Sequence, residues 1–311
     1  MALANWQDAV GRRFLSPPTD RRRRSILKSE KELQDYFAQL VGQREAVERL
    51  KRMLSNEWVP HGLMFCGPFG VGKATAARLF AAALIRTPPD RLERTAGFIH
   101  ITPETSFGVD LIRDQVIPFF SLRRDGWRVA VLDGAERMTR EAANALLKTL
   151  EEPPPRSLIV LVVMRPEELP STISSRCVSV PFSRLTFEQT VDVLCGVGVV
   201  REMAEKAAIL SAGSPGFALQ LIDDDLLAVF ADAVETLLTG RGCEKAVVTL
   251  LRKVKRRERM AEMLDGLVAA VSSREGSRCW DVLQRLQRLH RDISANLNVG
   301  LAVSAIFGGA K

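Results

Sequence analysis

The chain has little cysteine, few aromatic residues and no long apolar stretch, and each shortage excludes a class of protein. No apolar run approaches the ~20 residues needed to cross a bilayer as a helix. The first residues lack the basic, then apolar, then small-residue succession of a secretory signal. A cytoplasmic protein is the expectation. The five cysteines, Cys66, Cys177, Cys195, Cys243 and Cys279, are odd in number, widely scattered and never paired as CxxC. That pattern excludes a disulfide framework and a zinc site, and leaves reduced, mostly buried thiols as the expectation. Aromatic residues make up only 6% of the chain, and few accompany its basic runs, so stacking on single-stranded bases is not the role of those runs. No period of 20 to 50 residues repeats, which excludes a solenoid.

What is present suits a globular protein of more than one domain. The 311 residues are 46% hydrophobic and 26% charged, too many residues for one ordinary core. The net charge of +7 favours polyanionic partners. Much of it is local. Arg21 to Arg24 form an unbroken run, and Arg252, Lys253, Lys255, Arg256, Arg257 and Arg259 form a second cluster. Each cluster reads either as a solvated face or as a nucleic-acid contact.

Residues 1–38 read as an N-terminal extension, because Ser16-Pro17-Pro18-Thr19-Asp20 and the arginines after it make no core. Residues 39–183 alternate short apolar runs with helical patterns. The runs are Leu63 to Cys66, Gly97 to Ile101, Val129 to Leu132, Leu158 to Val163 and Cys177 to Val180. Short continuous apolar strands suit a parallel sheet covered on both faces. Helices fall over Lys73 to Ile85 and Arg140 to Leu150, so the domain is α/β. After residue 184 strand signals stop. Phe187 to Leu194, Glu202 to Ser211 and Pro215 to Leu221 read as a three-helix lid, 184–223. Leu226 to Leu238, Glu244 to Val271 and Cys279 to Leu289 read as the longer helices of a final helical domain, 224–311.

The strongest motif is Gly67-Pro68-Phe69-Gly70-Val71-Gly72-Lys73, between an expected strand and an expected helix. Gly67, Gly70 and Gly72 let the backbone wrap phosphates with N–H groups, and the helix N-terminus and Lys73 add favourable charge. The next residue of a complete phosphate loop is a Ser or Thr that ligates Mg²⁺. Ala74 stands there, and Thr75, one step along the helix, is turned by roughly 100°. Downstream, Val129-Ala130-Val131-Leu132-Asp133 ends a strand in an acidic residue able to hold Mg²⁺ through water. Gly134 follows where an ATPase motor carries a Glu, and Glu136 is expected at the start of the next helix.

These strings and three others resemble the bacterial clamp-loader subunits of DNA polymerase III, a family of AAA+ ATPases. The others are Val41-Gly42-Gln43 with Ala46 and Leu50, Asn144 through Pro153, and Thr172-Ile173-Ser174-Ser175-Arg176-Cys177. Phe182 and Leu185 suit the joint into the lid. The resemblance covers residues 39 to about 220. It implies an AAA+ RecA-like parallel-sheet domain, a small helical lid and, by position alone, an all-α collar for oligomerisation. It also exposes departures. The sensor-1 position at the end of the fourth strand falls on Val163 or Met164, and the sensor-2 arginine position falls on Phe217. With Ala74 and Gly134, four positions of the hydrolytic machinery are altered. Arg176 resembles the family's arginine finger, presented to a neighbour's nucleotide. Cysteines of the family's zinc module are missing from Arg86 to Ala96, so no metal is expected. The resemblance thus implies a non-hydrolysing, delta-prime-type stator in a hetero-pentamer with gamma/tau motor subunits and a delta subunit, acting on a sliding clamp and primed DNA. No cofactor is required, although the remaining lysine and glycines leave open weak, Mg²⁺-insensitive binding of ATP or ADP. The alternatives are an active gamma/tau-type ATPase, a branch-migration helicase and a nucleotide kinase.

Overall fold

The computed structural model describes residues 36–307 except 57, 104, 122–124, 241, 255–256, 274–276 and 295–297. The Arg21–Arg24 run and Lys255 and Arg256 lie outside the described residues. Helix α1, Arg44–Ser55, is followed by β1, Gly62–Cys66, and α2, Lys73–Ile85. Strand β2, Phe98–Ile101, leads into a helical stretch α3, 109–121, whose middle, Ile112–Val116, is π-helical. Then come β3, Arg128–Asp133, helix α4, Arg140–Glu151, and β4, Ser157–Val163. A one-turn helix α5, Ser171–Ser174, precedes β5, Val178–Pro181.

All five strands pair in parallel, in the order β2-β3-β4-β1-β5. Side chains alternate between the two faces, as the two-residue period of a strand requires. Leu63, Phe65, Val129, Val131, Leu158, Val160 and Val162 join one core with α1 and α2. Met64, Ala130, Leu132, Ile159, Leu161 and Val163 join the other with α3 and α4. Both faces are therefore covered, which is why every residue of β4 is buried. Phe37, inside the stretch read as an extension, is buried in the first of these cores.

The lid consists of α6, Phe187–Gly196, α7, Arg201–Ser211, and α8, Pro215–Asp223. Five buried apolar side chains from α6 and α7, Val191, Leu194, Ala204, Ala207 and Ala208, with Ala218 of α8, give it a small core of its own. The helical C-terminal region follows as α9, Leu227–Thr239, α10, Cys243–Lys253, α11, Arg257–Ser272, α12, Ser277–Ser294, and α13, Val299–Phe307. The single helix expected over Glu244–Val271 is therefore two. Val254 after α10 is extended and buried, and the chain restarts at Arg257. The physical reason is charge. Six cations within eight residues would stand three and four apart on one continuous helix and repel. Among the described residues no helix is long and apolar enough to cross a membrane.

Candidate functional site

The loops after β1, β3 and β4 leave the carboxyl edge of the sheet together, the edge at which open α/β sheets bind ligands. There they wall a cleft of about 1410 Å³, larger than the ~300–1,000 Å³ of a typical ligand pocket. The excess arises because the cleft continues past the phosphate loop to Glu262 of α11 and His290 and Arg291 of α12.

The phosphate loop, 67–72, is held on two sides. Gln43 is buried beneath it. Its amide nitrogen donates to Val71 O at 3.1 Å and Ser183 O at 2.6 Å, and its oxygen accepts from Ser183 N at 3.1 Å. Gln43 thus ties the loop to the joint between β5 and the lid. From above, α8 is clasped onto the loop. Gly216 N donates to Gly70 O at 2.9 Å, and Ser214 Oγ donates to Phe69 O at 2.7 Å. Gly70 has φ +68, and a Cβ there would meet Phe217 N at 2.8 Å, so only glycine fits this approach. Phe69 packs against the core of the helical C-terminal region.

Lys73 opens α2 and is buried, with Nζ donating to Gly67 O at 2.7 Å and Pro68 O at 2.6 Å. Burial lowers its pKa to about 8, against the opposing pull of Asp133, Glu136 and Cys66. Ala74 and Thr75 line the cleft beside it, and Ala74 brings no oxygen for a metal. Asp133, at the end of β3, also lines the cleft, with His100 Nε2 3.8 Å from its carboxylate. Without a hydroxyl at position 74 the cleft is a poor fit to the Mg²⁺ that a complete phosphate loop binds. Among the described residues no group of three His, Cys, Asp or Glu side chains could hold a metal ion.

Glu136 departs from expectation. Helix α4 starts only at Arg140, capped by Thr139, and Glu136 belongs to a 3₁₀ turn, Ala135–Arg137, before it. Gly134, with φ +80, turns the chain back, so the Glu136 carboxylate enters the cleft and accepts from Met164 N at 3.4 Å. Burial raises its pKa, and Lys73 and Arg137 oppose that. The left-handed glycine was the available sequence signal. Arg137, likewise unread in the sequence, lies with its guanidinium over Gly134 and lines the same cleft.

Val163 is buried at the end of β4, and Met164 lines the cleft. Phe217, at the expected sensor-2 place, faces away from the cleft. It is buried in the C-terminal helical core, edge-on to Phe230 with centroids 5.3 Å apart and pressed against Gly266 of α11. Arg176 stands apart from these residues, between α5 and β5. It donates to Glu151 Oε1 at 2.5 Å and Thr172 O at 2.9 Å and is not among the residues lining the cleft.

In the second basic cluster, Arg252 and Lys253 are exposed, whereas Arg259 pairs with Asp224 at 2.6 Å. The four described free cysteines are half-buried rather than buried. Burial pushes the Cys177 thiol up to about 12.

Residues 42–186 match the family described as DNA polymerase III, delta subunit. The DNA polymerase III subunit tau of Bacillus subtilis is 32% identical over 170 residues, covering 50% of this chain and 30% of that protein. The replication factor C small subunit of Methanococcus vannielii is 29% identical over 238 residues, covering 75% and 71%. A DNA polymerase III gamma subunit-related protein from Thermotoga maritima superposes with a TM-score of 0.49 at 21% identity, over 85% of this chain and 97% of that one. The chain therefore spans less than a third of the tau subunit it matches.

Proposed function

Because residues 42–186 form a DNA polymerase III delta-type domain homologous to the gamma and tau clamp-loader subunits, we propose that this chain is a non-hydrolysing, delta-prime-type subunit of a clamp loader. One observation carries the reading: the cleft keeps a phosphate loop but holds none of the four groups that hydrolysis needs. Ala74 replaces the metal-binding hydroxyl, Gly134 the water-orienting carboxylate, and Val163 and Met164 the polar sensor. Phe217, in place of the second sensor, is buried in the helical core. The chain's contribution is then made in trans. Arg176, outside its own cleft, supplies a guanidinium to nucleotide bound by a neighbouring gamma/tau-type subunit. The forked donors stabilise charge that spreads over the transferring phosphoryl oxygens. The further partners on this reading are a delta subunit, a sliding clamp and primed DNA.

The test is steady-state ATP hydrolysis. The isolated chain is expected at background, and a complex reconstituted with clamp and primed DNA is expected to slow when it carries Arg176→Ala. Turnover by the isolated chain near 1 s⁻¹, at the low end of ordinary enzymes, overturns the first half. A second reading, an active gamma/tau-type ATPase, is favoured by the Glu136 carboxylate inside the cleft beside Lys73 and Asp133. Under that reading Glu136→Gln abolishes a measurable turnover of the isolated chain.

A further inference from the structure

Gly134 and Arg137 form one arrangement. A Cβ at position 134 would overlap Arg137 Nη2 and meet Nε at 2.8 Å, so the glycine is the seat on which the guanidinium rests. A cation thereby fills the space into which a residue-134 carboxylate would grow. Arg137 is half-buried and lines the cleft that holds Lys73. Among the described residues its guanidinium, which carries five donors and no acceptor, forms no hydrogen bond or ion pair. Lys73 has three donors, of which Gly67 O and Pro68 O engage two. Two cations with unused donors thus face one cleft beside backbone N–H groups of a phosphate loop.

We propose that Arg137 takes the place of the divalent cation in this cleft, holding the terminal phosphate of a metal-free nucleoside di- or triphosphate against the phosphate loop and Lys73. This rests on the reading of the cleft as phosphate-binding but no longer hydrolytic. A guanidinium suits the task, since it presents paired donors to two phosphate oxygens and never loses its charge. The carboxyls that line the cleft are Asp133, Glu136, Glu168, Asp192 and Glu262, of which Glu136 and Glu262 act on Arg137 as neighbouring charges. Burial pushes the pKa of Glu136 and of Glu262 upward. The proposal reverses the usual effect of metal. In an intact site Mg²⁺ joins the phosphates to a hydroxyl and an aspartate, so it tightens binding. Here a phosphate-bound Mg²⁺ finds no hydroxyl at Ala74 and stands against Arg137, so it weakens binding.

The experiment is calorimetric titration of the full chain with ATP, ADP and inorganic tripolyphosphate, in EDTA and in excess Mg²⁺. The wild type is expected to bind all three in EDTA, and at least about threefold more weakly in Mg²⁺. Arg137→Ala is expected to lose about tenfold or more in EDTA, the scale of one charged hydrogen bond, and little in Mg²⁺. Arg137→Gln, which keeps a neutral donor of similar length, is expected to behave as Arg137→Ala does and carries the comparison if the alanine variant fails to fold. Wild-type binding that tightens with Mg²⁺ overturns the proposal, as does unchanged EDTA affinity in a folded Arg137 variant. So does a wild type that binds none of the three ligands. That last result leaves the trans-acting role untouched, because the Arg176 assay reads a different residue in the reconstituted complex.

Discussion

Arg176 and Lys73 are the two cations on which the functional reading turns, and their surroundings predict different behaviour. The Arg176–Glu151 pair is partly exposed, 32% and 48%, so it contributes about 0–1 kcal/mol to folding. Arg176→Ala is therefore expected to melt within about 1 kcal/mol of wild type in urea while slowing the stimulated ATPase of the complex. Arg176→Lys is not expected to restore the rate, because an ammonium lacks the planar fork. Equal hydrolysis by mutant and wild-type complexes, with incorporation demonstrated, rules out the finger. Lys73 is instead buried, which lowers its pKa from the usual 10.5 to about 8. In that interval the unfolded chain binds the extra proton, so stability rises with pH. Relative to Lys73→Met, the wild type is expected to gain stability as pH climbs from about 8 to about 10.5, and denaturant melts across that range check the sign. Both cations are legible in sequence, since each sits in a motif. Their partners are not. That Lys73 donates to its own loop and Arg176 to Glu151 depends on contacts no local string specifies.

At the scale of elements, α8 joins three parts of the molecule. Ser214 caps it by accepting from Phe217 N at 3.2 Å and also donates to Phe69 O. Ser214→Ala is expected to cost about 1–2 kcal/mol, the worth of a cap plus one buried bond, and a chemical melt measures it. Phe217→Arg, which on paper restores a sensor, places an unpaired charge in an apolar core. It is expected to destabilise by about 3–5 kcal/mol without raising ATP hydrolysis. A stable Phe217→Arg protein that turns over ATP contradicts the account of this residue. The strands were readable to within one residue or so, because burial on both faces forces continuous apolar runs. The break at Val254 was not, since the apolar period runs through it and only the clustering of cations argued against one helix. Glu136 was misread for a related reason. Its direction is decided by the left-handed backbone at Gly134.

For the whole molecule, the expected turnover of the isolated chain is background, and Ala74→Thr alone is expected to leave it there, because Gly134 still brings no carboxylate. A rise to about 1 s⁻¹ in that variant would show that a single hydroxyl was all that was missing. What the sequence conveyed at this scale is the inventory of altered motif positions. It could not convey that their replacements had been recruited into the architecture. Phe217 carries the clearest consequence. Its ring lies against Gly266 and Phe230 and shares a core with Leu221, Leu250 and Leu267. Removing it is expected to cost about 3–5 kcal/mol, a large part of the ~5–15 kcal/mol that holds a typical protein folded. On the proposed reading, a descendant of this chain regaining an arginine at position 217 would pass through a poorly folded intermediate, or refill the C-terminal helical core by a second substitution made beforehand. On the proposed reading, the order of substitutions, and not their number alone, governs a return to catalysis.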